Sequence, residues 1–189
     1  LTYYGALSHY GEDIPLACVG VISKVNILML GFTLGISQGC QPIFSYNYGA
    51  RQYSRVREAY RKAIVAASII CCIAFVCFQL FPRPIVALFD PSGSEEYFQF
   101  AERYFRIYMF MTLANAFQPI TANFFTSIGK AKRGALIALT RQVIFLIPLI
   151  LIFPLFLGID GVMYAGPIAD SAAVVVALAL VTREMKRMP

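Results

Sequence analysis

Long apolar runs alternate with short polar segments along the whole chain. A helix that crosses a bilayer needs about 20 mostly apolar residues, each rising 1.5 Å. On that measure the pattern predicts five spans, at about 14–48, 63–81, 97–128, 134–156 and 162–182. Residues 1–13 (LTYYGALSHYGED) read as the end of a truncated preceding helix and an outer loop, and 14–189 as one helical bundle. Pro82-Arg83-Pro84 should stop the second span, because proline lacks the amide a helix needs. Ile85, Val86, Leu88 and Phe89 then share one side of a short interfacial turn. Gly158-Ile159-Asp160-Gly161 predicts a tight turn between the last two spans. The fold class is all-α, a polytopic transmembrane helix bundle.

Two spans break their apolar pattern with uncharged polar residues. In the first, Gly31, Gly35 and Gly39 recur every fourth position, a spacing expected to let another helix pack closely. Gln38, Gln41 and Ser45 form a second face beside Pro42. In lipid such groups need partners or water, so they either line a cavity or bond other helices. The third span carries Thr112, Asn115, Gln118, Asn123 and Thr126 around Pro119. Amides and hydroxyls suit an amphipathic pathway better than a tight ion site. Gln41-Pro42-Ile43 and Gln118-Pro119-Ile120 form a faint echo, as repeated helix units would.

Composition agrees with the pattern. Of 189 residues, 59% are hydrophobic and 14% charged, with mean hydropathy +0.67; soluble domains carry about 25% charged residues. The net charge of +6 does not indicate nucleic acid, because Lys and Arg fall in short clusters between apolar runs. The clusters follow the first, third and fifth spans, and the intervening loops are acidic or neutral apart from Arg83. Positive charge favours the cytoplasmic side, so these ends and the C-terminus are expected inside a plasma (inner) membrane. Cys18, Cys40, Cys71, Cys72 and Cys77 lack zinc-site spacing and are expected to be buried small hydrophobes.

Three ionisable residues fall within spans: Lys24, Arg141 and Asp170. Intramembrane charge is costly and points to function. At 1.5 Å per residue, Lys24 and Asp170 lie roughly 13–15 Å from the outer ends of their helices, and Arg141 roughly 11 Å from an inner end. Asp170 is expected to pair with Arg141 or Lys24, either as a proton or cation site or as a structural ion pair. No metal-protease, nucleophile-elbow, P-loop or dinucleotide motif is present, and no enzyme is expected.

LGISQGCQPIFSYNYGARQYSRVREAYRKA, the PxxIVALFD segment, TANFFTSIGKAKRGALIALTRQVIFLIPLILIFP and GIDGVMYAGPIADSAA together resemble bacterial multidrug and toxic compound extrusion (MATE) transporters, in order and spacing. The resemblance implies a twelve-helix transporter of two pseudo-symmetric six-helix lobes. This chain would be its C-terminal lobe, partnered by the N-terminal lobe and the lipid bilayer. It also implies export of small organic cationic or amphipathic substrates, with no cofactor beyond a coupling ion, H+ or Na+. The helix resembling the family's tenth holds Asn115, Gln118 and Asn123 but no carboxylate in its core, which leaves Asp170 as the mid-membrane candidate. Arg141 and Asp170 resemble a basic–acidic pair on the last two helices of the other lobe. The alternatives are a lipid-linked saccharide flippase of the same superfamily and a non-transporting membrane fragment.

Overall fold

The computed structural model describes residues 13–89, 91 and 94–188, apart from the side chains of 13–16, 111, 113, 115, 154, 155, 157–160, 162 and 163. The expected outer segment before residue 13 lies outside the described residues. Helix α1 spans Asp13–Gly49, α2 Tyr53–Leu80, α3 Pro82–Phe89 and α4 Glu95–Met109. A 3-10 helix covers Phe110–Ala116, followed by α5 at Gln118–Ser127 and α6 at Ala131–Leu139. A π-helical segment, Thr140–Leu146, leads into α7 at Ile147–Arg187. Among the described residues all regular structure is helical, as the apolar pattern requires.

Among the described residues, four helices are long and apolar enough to cross a membrane: Ala17–Gly49, Tyr53–Leu80, Ala131–Phe153 and Tyr164–Arg187. The expected third span is instead three short helices in series. Glu95, Glu96, Glu102, Arg103 and Arg106 make α4 amphipathic. Pro119 then deprives the preceding turn of an amide donor, and the chain tightens into 3-10 geometry, with Phe117 N–H donating to Ala114 O at 3.1 Å. Pro42 meets a different fate, remaining inside continuous α1.

Residues Ile147–Arg187 are helical throughout, yet they do not form one straight rod. In a straight rod Arg141 and Asp170 would lie roughly 43 Å apart at 1.5 Å per residue. They are bonded to each other, and Leu146 and Ile150 pack with Ala165 and Ala169. The run therefore reverses between Phe153 and Tyr164, giving two antiparallel arms.

Local signals set several ends. Ser94 caps α4 by accepting from Tyr97 N–H at 3.2 Å, and Glu95 and Glu96 in its first turn complement the helix dipole. Gly129 ends α5 at φ +77°, where Lys130 N–H reaches back to Phe125 O at 2.8 Å.

The core has two main parts. One, near Pro82, joins Cys18, Ile22, Phe78, Tyr104 and Phe105. The other joins Phe44, Ala67, Phe124, Phe125, Ile137 and Val181. Phe44 meets Phe124 edge-on at 5.4 Å and Phe78 meets Phe105 at 5.5 Å, a geometry that aromatic quadrupoles favour.

Two expectations fail on burial. Cys18 and Cys71 are buried, but Cys72 and Cys77 are exposed, so they are not core filler. Among the described residues the glycine ladder does not pack closely either: a Cβ at Gly31, Gly35 or Gly39 would meet nothing within 4 Å. Helix α1 buries its other face, with Ile22, Val25, Thr33, Ser37 and Phe44. The close approach falls at Gly134, where a Cβ would lie 2.6 Å from Ala122 O and 2.7 Å from Thr126 Oγ1.

Candidate functional site

Arg141 sits in the π-helical segment, a local widening of the helix often associated with function. The hairpin brings its Nε to Asp170 Oδ1. Both side chains are largely enclosed, at 18% and 11% exposure. Taking two charges out of water is costly, and removing either partner leaves the other uncompensated. Asp170 thus selects Arg141. Lys24 is exposed on α1 and makes no ion pair among the described residues.

A second polar group joins α1 to α5. Asn123 Nδ2 donates to Ser37 Oγ at 2.7 Å, and Ser37 Oγ donates to Pro119 O at 3.2 Å. Ser45 Oγ lies 3.0 Å from Ser127 O and 3.1 Å from Gln41 O. Gln118 Nε2 donates to Ile137 O at 3.2 Å, tying α5 to α6. Thr121 donates to Phe117 O at 2.7 Å, so Tyr60 must be the donor in the 2.8 Å contact between the two hydroxyls. Asn123, Gln118 and Ser45 therefore bond neighbouring helices. The side chain of Asn115 lies outside the described residues.

The open face of α1 meets this network only at Ser45. Lys24, Leu28, Gly31, Gly35, Gln38, Pro42, Ser45 and Gly49 follow one another by alternating steps of four and three, and all are exposed. This is one seam of the helix. Gln41 beside it is half-buried. Gln38 has no side-chain hydrogen bond among the described residues. Apart from Leu28, this face consists of glycine, proline, amide, hydroxyl and ammonium groups, and it is poorly suited to lipid tails, which cannot satisfy polar groups.

Sequence reasoning missed Glu184. It is 1% exposed and bonds Lys130 and Arg133. The signal was available, since Glu184 stands among the basic residues of the tail. Nearby, Arg57 Nη2 donates to Met188 O. These contacts gather the three basic segments at one end of the bundle. At the other, Arg83 lies 2.5 Å from Glu95 and 4.0 Å from Glu102. Glu95 raises the Arg83 pKa by hydrogen bonding and charge, and the exception in the loop charges is locally compensated. No group of three or more His, Cys, Asp or Glu residues is placed to hold a metal ion among the described residues.

The family profile described as MatE matches residues 4–152. The multidrug export protein MepA of Staphylococcus aureus (strain bovine RF122 / ET3-1) is 22% identical over 175 residues, covering 93% of this chain and 38% of that protein. The fold superposes with TM-score 0.91 on an outward-facing multidrug resistance MATE family transporter of the MOP superfamily, at 18% identity, covering 99% of this chain and 42% of that one. Against the MATE multidrug transporter DinF-BH, the TM-score is 0.82 at 33% identity, covering 94% and 39%. The chain spans about two fifths of the length of these relatives. Since the matched segment holds most of the chain, including the open seam of α1 and Arg141, this multi-pass membrane protein belongs to the MatE family.

Proposed function

We propose that this chain is the C-terminal half of a cation-coupled multidrug efflux antiporter, driven by protons or sodium and working by alternating access. It is a transporter and not an enzyme. The observation that carries the reading is the open seam of α1, an exposed strip from Lys24 to Gly49 that is small or polar at every position but Leu28. The remaining length of its relatives would supply a second lobe facing that seam across a water-filled cavity. Gln38 and Gln41 would present amides there to small organic cationic or amphipathic compounds, and the glycines would leave room for varied shapes.

Asp170 and Arg141 are the candidates for ion coupling, with Lys24 a third on the seam itself. A proton or Na+ taken by Asp170 would release Arg141 and change the charge inside the bundle. Such a change biases a two-state structure if its two states hold the ion unequally. The protein would lie in the plasma (inner) membrane with its basic end and C-terminus cytoplasmic, following charge bias.

The test is efflux of a fluorescent organic cation from proteoliposomes holding the intact protein, under imposed proton or sodium gradients. Gradient-dependent efflux is expected, and its absence under both gradients sinks the reading. For the coupling site, Asp170→Asn should keep normal membrane insertion but lose gradient-driven export. Loss of folding would instead make the pair structural.

A further inference from the structure

At the basic end, α2 and the last arm of α7 leave a groove of about 430 Å³ between them. Ile64, Val65, Leu178 and Val181 contribute its apolar walls, and Arg61 and Lys186 stand with them. Val65 is 49% exposed and Leu178 38%, so the groove opens at the surface of the bundle. Arg61 lies two residues before the apolar run that starts at Ala63, and Lys186 lies in the charged tail beyond Thr182. Both cations therefore sit where hydrocarbon gives way to headgroups.

The local carboxylates are committed elsewhere. Glu58 pairs with Lys62 at 2.8 Å, and Glu184 is held between Lys130 and Arg133. Arg61 and Lys186 are exposed and make no ion pair among the described residues. Two uncompensated cations above an apolar cleft, at the edge of a membrane span, match a ligand with an anionic head and a hydrocarbon tail.

We infer that this groove binds one anionic phospholipid, with its phosphate between Arg61 and Lys186 and an acyl chain along Val65 and Leu178. The inference rests on the chain being a multi-pass membrane protein and is independent of what is exported. Efflux without lipid selectivity, or the reverse, separates the two.

Native mass spectrometry of the intact protein tests it, using phosphatidylglycerol and phosphatidylcholine with matched acyl chains. The unaltered protein should retain phosphatidylglycerol preferentially. A cation near an anionic surface contributes about fivefold, so Arg61→Gln with Lys186→Gln should reduce the preference roughly 25-fold. Arg51→Gln with Lys132→Gln removes the same charge away from the groove and should change it less than about twofold. Leu178→Trp, which fills the apolar cleft, should release both lipids equally. Equal retention of the two lipids by the unaltered protein overturns the inference. So does an equal loss in both charge-neutralised pairs, or no effect of Leu178→Trp, as expected if another part of the protein covers the groove.

Discussion

Two stripes of small residues at the same spacing have opposite surroundings. Gly31, Gly35 and Gly39 on α1 face open space. Ala165, Ala169, Ala173 and Ala177 on α7 are all 1% exposed or less. Small residues every fourth position permit close helix approach, but they do not say that a helix arrives. Ala165 and Ala169 pack with Leu146 and Ile150 of the antiparallel arm, Ala177 joins the core of Phe124 and Ile137, and beside them lies the ion pair of Asp170. The glycines continue into Gln38, Pro42 and Ser45, and of these only Ser45 bonds another helix, while the opposite face of α1 is packed. Glycine costs a helix about 1 kcal/mol relative to alanine, and nothing among the described residues offsets that cost at Gly31, Gly35 or Gly39. The contrast supports the reading in which the α1 seam serves something outside the bundle described here.

The largest expected break in this contrast comes at the closed stripe. Asp170→Ala removes the carboxylate bonded to the enclosed Arg141 and should destabilise the protein by about 3–5 kcal/mol in reversible unfolding from mixed micelles. Part of that loss should return when Arg141→Ala is added. Next, Ala169→Leu overfills a site with no free surface and should cost about 3 kcal/mol by the same assay. Gly134→Ala adds one carbon 2.6 Å from a backbone carbonyl, which a rotamer change cannot relieve. A loss of about 1–3 kcal/mol is expected there, visible as a lower thermal midpoint. The smallest effect belongs to the open stripe. Gly35→Ala should stabilise the intact protein by about 0.5–1 kcal/mol through helix propensity alone. A destabilisation would show that a helix from elsewhere in the protein packs on the seam, which would erase the contrast with α7.

Much of this architecture is legible along the chain. Four of the apolar runs fall close to the long apolar helices, and Asp170 and Arg141 stand out as charges within apolar sequence. The interruption after Met109 is less legible, because Pro119 and Pro42 have identical neighbours in Gln and Ile yet only Pro119 follows a 3-10 segment. Glu184 stands out among the basic residues of the tail, but its burial and its partners are hidden for a different reason. Its partners, Lys130 and Arg133, lie more than 50 residues earlier, and their own loop reads as an ordinary solvated basic cluster.

By itself, the sequence determined that this protein is a bundle of membrane helices, which end carries the positive charge, and where uncharged polar groups interrupt the hydrocarbon pattern. Those properties follow from transfer of each segment between water and lipid, a local quantity that sums along the chain. Only the tertiary structure decided that Asp170 meets Arg141 and not Lys24, that Asn123 and Gln118 bond neighbouring helices, and that the alanines close while the glycines stay open. Those outcomes depend on how each helix is rotated against its neighbours, and a helix can turn about its own axis without changing a single local preference.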